Sequence, residues 1–102
     1  LLKQANMVKK YTDAEDLIVV GTPDPALINA SERKGWRVNI DYYDHIPKDP
    51  IEEIQYYIEN GAKYFVPMKG WIHNDTGEYR NYLEENFKKI VDEEGYFIYI
   101  LQ

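Results

Sequence analysis

Short apolar segments alternate with amphipathic segments along the 102 residues of this chain. Runs of β-branched and aromatic residues bounded by turn formers are typical of strands, whereas apolar positions three and four residues apart are typical of helices. The pattern therefore predicts four strands, each followed or preceded by a helix. The predicted strands are residues 17–21, 36–41, 64–68 and 96–101.

Aspartates mark the predicted helix starts and glycines the predicted helix ends. Asp24 and Asp49 each precede a proline, which is the arrangement of an N-cap carboxylate followed by proline at the first helical position. A third helix is predicted to start at Asp75. Glycine adopts the left-handed conformation that ends many helices, and it occurs at each predicted end. These glycines are Gly35, Gly61 and Gly95.

The last predicted helix is amphipathic along its whole length. Its apolar residues fall at spacings of three and four, so that one face of the helix must be covered by the rest of the protein. The helix is expected to continue through Val91 and to stop before Gly95. The apolar residues of this face are Tyr79, Tyr82, Leu83, Phe87, Ile90 and Val91.

Regular alternation of helix and strand predicts an α/β fold with a mainly parallel sheet and helices on both faces. The first strand is apolar throughout and should be central, whereas the second alternates with polar residues and should lie at an edge. The predicted architecture is a three-layer, four-stranded, Rossmann/flavodoxin-like sheet with strand order 2-1-3-4. Pro67 cannot donate to a strand ladder, so the third strand should end there or lie at an edge.

Composition limits the classes of function. Residues 1–102 are about the size of one domain, and a net charge of −6 with scattered lysines and arginines argues against nucleic-acid binding. Cysteine is absent, which excludes thiolate chemistry, and no apolar run reaches the roughly 20 residues of a membrane span. The chain begins at Leu1 in an amphipathic pattern, so we expect it to be a piece of a longer protein.

Ligands of open parallel sheets bind beyond the carboxyl ends of the strands, so the loops after the second and third strands are the candidate sites. One hypothesis is a metal or acid–base site, because imidazole and carboxylate groups suit zinc and proton transfer. Its residues would be Asp44, His45, His73 and Asp75. Ordinary surface loops are the alternative.

A second hypothesis is carbohydrate binding in the same loops. Aromatic rings stack on the apolar faces of sugars, and side-chain oxygens accept hydrogen bonds from sugar hydroxyls. The stacking rings would be Tyr42, Tyr43 and Trp71, and the acceptors would be Asp44, Asn74 and Asp75. These aromatic residues could instead cover the end of the sheet or contact a neighbouring domain.

Cofactor motifs are missing from the first strand–helix turn. Gly21 is followed by Pro23 and Pro25, which fits neither a dinucleotide fingerprint nor a phosphate-binding loop. Ser31 lies in a helix without a nucleophile elbow around it. We therefore predict no cofactor and no catalytic residue within the chain.

The segment 31–38 is explained by structure rather than by binding. Arg33 and Lys34 are predicted to lie in the last turn of a helix, where cations complement the helix dipole. Gly35 is predicted to cap that helix, and Trp36 to begin the next strand with its ring packed inward.

The same segment carries a resemblance to a known family. Arg33-Lys-Gly-Trp36, preceded by residues 16–20 and followed by residues 61–66, resembles the soluble C-terminal domain of bacterial membrane glycosyltransferases. These are enzymes of the dolichyl-phosphate-mannose–protein mannosyltransferase and aminoarabinose transferase group. The similarity covers about residues 16–101, nearly the whole chain.

The resemblance implies a role beside a membrane enzyme. The parent protein would transfer a sugar from a polyprenyl-phosphate donor to a lipid or protein acceptor on the extracytoplasmic face of the membrane. Its catalytic acidic residue would lie in the transmembrane body, with no counterpart in this chain. The domain would then bind the acceptor or contact that body. A free-standing domain that binds a small ligand or a metal through the two candidate loops is the alternative.

Overall fold

The computed structural model describes residues 1–38, 44–69 and 77–102. Within these ranges the elements are α1 (Leu2–Tyr11), β1 (Leu17–Val20), α2 (Ala26–Ala30), β2 (Lys34–Arg37), α3 (Pro50–Glu59), β3 (Ala62–Val66), α4 (Glu78–Asn86), β4 (Lys88–Glu93) and β5 (Tyr96–Ile100). Helices and strands alternate along the sequence up to β4. The last two strands, β4 and β5, follow each other directly and form a hairpin. Among these described helices, none is both long enough and apolar enough to cross a membrane.

The sheet is mixed, with the order β2-β1-β3-β5-β4. β1 pairs in parallel with β2 and β3, whereas β5 pairs antiparallel with both β3 and β4. The predicted four-stranded, mainly parallel, flavodoxin-like sheet is therefore wrong. The fold is a small α/β domain in which a C-terminal hairpin reverses the direction of the last strands.

The hairpin replaces the second half of the last predicted helix. α4 ends at Asn86, and the chain continues as β4 before a two-residue turn at Glu94 and Gly95. Both turn residues have positive φ, of 55° and 84°, as in the hairpin turns that match the twist of strands. Val91 is buried on the opposite face of the sheet from Leu83, so no single helix could bury both.

Two hydrophobic cores lie on the two faces of the sheet. Successive strand residues alternate between them, so that Val19 faces one core while Ile18 and Val20 face the other. α3 and α4 cover the first face and contribute Ile54, Tyr57, Tyr79 and Leu83. α1 and α2 cover the second face and contribute Ala5, Met7, Val8, Leu27 and Ile28.

The boundaries of α3 confirm the sequence prediction. The Asp49 carboxylate accepts a hydrogen bond from the backbone N–H of Glu52 at 3.1 Å, and Pro50 is the first helical residue. Gly61 follows the helix with a φ of 102°.

The predicted start at Asp75 lies outside the described residues. β3 ends at Val66, directly before Pro67, because a proline cannot extend the ladder.

Gly35 does not cap a helix, contrary to the prediction. α2 ends at Ala30, and Gly35 lies inside β2 with a φ of 145°. A Cβ atom at this position would lie 1.8 Å from the carbonyl oxygen of Ile18 in β1. The glycine is required because the two strands approach closely here.

Arg33 also has a different role from the predicted one. Its guanidinium donates to the hydroxyl and the carbonyl oxygen of Thr12, at 2.9 and 3.1 Å, and it reaches the carbonyl oxygen of Ser31 at 3.3 Å. Thr12 is the C-cap of α1. The cation therefore joins the end of α1 to the segment after α2, rather than completing the last turn of α2.

We predict that Gly35→Ala destabilises the protein by about 3 kcal/mol or more, because its Cβ would overlap the backbone of β1. Gly95→Ala is the matched control, since its φ is also positive but its Cβ would meet only the flexible side chain of Lys69, at 3.6 Å. That control should cost about 1 kcal/mol. Urea unfolding measures both. Equal losses in the two variants would contradict the steric explanation.

Candidate functional site

The predicted ligand-binding residues fall mostly outside the described part of the chain. Asp44 and His45 are described, and both are exposed in a turn. The His45 ring packs edge-on against Tyr56, with 6.2 Å between the ring centroids. The remaining predicted residues lie outside the described residues: Tyr42, Tyr43, Trp71, His73, Asn74 and Asp75.

The metal hypothesis gains no support from the described residues. Within 1–38, 44–69 and 77–102, no group of three or more histidine, aspartate or glutamate side chains is arranged to hold a metal ion. Asp44 and His45 belong to the predicted set, whereas its other two members, His73 and Asp75, are not described. The metal site stays a prediction.

A buried carboxylate occupies the space between α3 and α4. The side chain of Glu53 is on α3, and the residue is only 3% exposed. The hydroxyl of Tyr57 donates to one of its oxygens, and the hydroxyl of Tyr79, on α4, donates to the other. We call these three residues the Glu53 cluster. Charged carboxylates are rarely buried unless donors surround them, and here both oxygens have one.

The Glu53 cluster lies at the carboxyl edge of the parallel strands. α3 follows β2 and α4 follows β3, so the first turns of both helices are near the carboxyl ends of these strands. The Tyr57 hydroxyl lies 3.5 Å from the carbonyl oxygen of Arg37, the last residue of β2. This edge is where open α/β sheets bind ligands.

Aromatic side chains surround the buried Tyr57. Trp36 stacks on its ring with 5.3 Å between centroids and 26° between planes, and Tyr56 meets it edge-on at 5.9 Å. Tyr57 is fully buried, whereas Trp36 and Tyr56 are half-buried and His45 is exposed. We call Trp36, His45 and Tyr56 the aromatic platform. Two of its rings, Trp36 and Tyr56, pack on the buried Tyr57, and His45 packs on Tyr56.

Electrostatics keep the Tyr57 hydroxyl protonated. Burial, followed by the hydrogen bond to the Glu53 carboxylate, raises the pKa of Tyr57 far above its ordinary value. The phenol therefore remains a hydrogen-bond donor throughout the physiological pH range. Tyr57 thus keeps its hydrogen bond to Glu53 over this range.

The Glu53 cluster was not predicted from the sequence, although a signal for it exists. Glu53, Ile54 and Tyr57 lie on one helix face, so a charged residue interrupts an apolar face. A carboxylate at such a position is a candidate for burial against a donor. Tyr79 was predicted only as an apolar residue, and its hydroxyl is the part that contacts Glu53.

Comparisons of the chain with family models, with curated proteins and with solved structures find no match.

We predict that stability falls above pH 10 because Tyr57 ionises only when the protein unfolds. Folding raises the pKa of Tyr57, so the contribution of this group to stability is fully present below its pKa in the unfolded chain, near 10. The contribution is lost progressively as the pH rises above that value. The loss should be about 1.4 kcal/mol per pH unit for each such tyrosine. Tyr99 is the second such tyrosine. Burial and a hydrogen bond to Glu84 raise its pKa as well.

Urea unfolding between pH 9 and 11.5 tests this prediction, in the range above the ordinary tyrosine value of about 10. Tyr57→Phe should reduce the slope by about 1.4 kcal/mol per pH unit. Tyr99→Phe should do the same independently, because the two rings belong to different hydrogen-bonded pairs. An unchanged slope in Tyr57→Phe would contradict the raised pKa of Tyr57.

Proposed function

We propose that this chain is an accessory, acceptor-binding domain of a membrane glycosyltransferase that uses a polyprenyl-phosphate sugar donor. The resemblance of residues 16–20, 33–36 and 61–66 to such domains supports the proposal. In this proposal the membrane body performs catalysis on the extracytoplasmic face. The domain presents a surface to the carbohydrate or to the lipid-linked acceptor.

The aromatic platform is the observation that carries the binding part of the proposal. The rings of Trp36 and Tyr56 pack on the buried Tyr57, and the ring of His45 packs edge-on against Tyr56. Sugar rings have apolar C–H faces that stack on such rings. Because the support is held by the Glu53 carboxylate, little side-chain freedom is lost when a ligand binds.

The same geometry favours binding over catalysis. A general acid or base must come within hydrogen-bonding distance of the group that exchanges the proton. Glu53 is 3% exposed and both of its oxygens already accept from tyrosine hydroxyls, so its carboxylate faces the protein interior. Its role is to hold the two helices and the platform in place.

We predict that the chain binds neutral methyl hexosides with millimolar affinity at the platform. In an NMR titration, the side chains of Trp36 and His45 should show saturating shifts, because both are on the accessible surface of the platform. His45→Ala should weaken binding about threefold, since one contacting ring is lost. Ile51→Ala is the control, because Ile51 is an exposed apolar residue of α3 outside the platform, and it should leave the affinity unchanged. Absence of saturable shifts in the unmodified chain would contradict sugar binding.

We predict a separate effect in the parent protein. Its reading frame upstream of Leu1 should encode several apolar segments of about 20 residues, each able to span a membrane. In sugar transfer from a polyprenyl-phosphate donor, His45→Ala should raise KM for the acceptor and leave kcat unchanged, because binding is weakened and chemistry is not. A parent without apolar spans, or a loss confined to kcat, would contradict the assignment.

A further inference from the structure

The edge of the sheet formed by β4 is open. β2 and β4 are the outermost strands, and within the described residues each pairs with a neighbour on one side only. About half of the backbone N–H and C=O groups of such a strand point away from the sheet. Outside the ladder with β5, the described part of the chain supplies no backbone partner for the groups of β4. This edge can therefore accept another strand.

The charges along β4 are self-complementary. Two cations begin the strand, two apolar residues follow and two anions end it, in the order Lys-Lys-Ile-Val-Asp-Glu. When such a strand lies antiparallel to a second copy of itself, each cation meets an anion. The other edge strand, β2, has the order Lys-Gly-Trp-Arg, so that self-pairing would bring like charges together.

β4 contains one extra residue relative to β5. Lys89 is opposite Tyr99 and Val91 is opposite Ile98, so Ile90 has no partner in the ladder and forms a β-bulge. The side chains of a regular strand alternate between the two faces of the sheet, and an extra residue shifts this alternation by one. The bulge therefore changes which charged residues share a face.

Because of the bulge, each cation lies on the same face as the anion that it would meet. Lys88 and Glu93 are opposite β5 residues that face the core under α1 and α2. Lys89 and Asp92 are opposite β5 residues that face the core under α3 and α4. In a strand without a bulge, residues three or five positions apart lie on opposite faces and could not pair in this way.

We propose that two copies of this chain form a symmetric dimer through their β4 edges. The two strands would run antiparallel, and each Val91 would be opposite its counterpart on the two-fold axis. Lys88 of each copy would then be opposite Glu93 of the other copy, and Lys89 would be opposite Asp92. Backbone hydrogen bonds supply the attraction, and the charges determine the register and the direction of the strands.

The charged groups of the outer pair are available for these contacts. Lys88 is exposed and forms no ion pair within the described residues. Glu93 is also exposed, and only its Oε1 accepts the hydrogen bond from the Tyr11 hydroxyl. Lys89, in contrast, already lies 3.9 Å from Asp92 of its own strand. The pair formed by Lys88 and Glu93 is therefore the one whose charges are best suited to a test.

Edge lysines and bulges usually protect a sheet against further pairing. A strand of arbitrary sequence offers such a lysine no anion, and pairing with it is unfavourable. Only a strand with carboxylates at matching positions and on matching faces removes this cost, and β4 of a second copy is such a strand. The same residues therefore oppose unspecific aggregation and favour this one dimer.

Sedimentation equilibrium of the chain at increasing concentration tests the proposal. Pairing of a single strand buries less area than a standard interface, so we expect a dissociation constant on the order of 100 µM. Hydrogen–deuterium exchange measured by NMR then locates the interface. The amides of β4 that point away from β5 should exchange more slowly as the dimer forms, and those of β2 should not change.

Charge reversals test the register. Lys88→Glu should weaken the dimer about tenfold or more, because two like charges would meet at both symmetric positions. Glu93→Lys should have the same effect. An equimolar mixture of the two variants should form a heterodimer with about the affinity of the unmodified chain, since every reversed charge then meets its opposite. Recovery in the mixture also shows that both variants are folded.

Two further variants are controls. Lys34→Glu changes the net charge by the same amount as Lys88→Glu and also replaces an exposed lysine of an edge strand. It should alter the dissociation constant less than about twofold, because β2 lies at the other edge of the sheet. His45→Ala should have no effect on the dimer, which separates self-association from sugar binding at the platform.

Five results would overturn the proposal. The chain could remain monomeric up to about 1 mM, tenfold above the expected dissociation constant. Lys34→Glu could weaken the dimer as much as Lys88→Glu, which indicates a general effect of net charge. The mixed variants could stay monomeric although urea unfolding shows that each is folded. Growth beyond a dimer would indicate open-ended pairing of β2 with β4. Protection of the β4 amides at every concentration would indicate that another segment of the chain covers this edge.

Discussion

The hydrogen bonds to the buried carboxylate of Glu53 determine the geometry of the carboxyl edge. A carboxylate removed from water is stable only where donors replace the lost solvent, and here the donors come from two different helices. Tyr57 is on α3 itself and Tyr79 is on α4, so satisfying the charge also fixes the first turns of both helices relative to each other. Tyr57 in turn supports the ring of Trp36. The accessible aromatic surface thus depends on a polar contact buried beneath it.

Local signals in the sequence predicted the start and end of α3. They failed at β4, because its pattern of apolar residues fits both a helix and a strand. The aspartate–proline start and glycine end of α3 are determined by nearby residues, and Asp49 and Gly61 have the expected roles. Ile90 and Val91 fit the spacing of a continuing helix and also fit a strand, so the pattern alone could not reveal β4. Glu94 and Gly95 form the turn, but a Glu-Gly pair is a weaker hairpin signal than Asn-Gly or Asp-Gly.

Residues whose roles depend on distant parts of the chain could not be predicted. Gly35 could have ended a helix or admitted a neighbouring backbone, and only the pairing of β1 with β2 decides between these roles. Glu53 was passed over because glutamate is normally exposed, and its second donor, Tyr79, is 26 residues away. The candidate loops lie mostly outside the described residues, whereas Glu53, which joins α3 to α4, is on a helix.

The reversal of β5 also brings the hairpin turn against α1. With β5 antiparallel to β3, the start of β5 and the turn before it lie near the carboxyl end of β3, where Lys69 packs along Gly95 and Tyr96. The turn also meets α1 through the Lys3–Glu94 ion pair, and a groove of about 200 Å³ lies between α1 and the turn. A parallel last strand would have placed its start at the opposite end of the sheet. The hairpin therefore forms one wall of a recess beside α1, whereas the aromatic platform lies on the opposite face of the sheet.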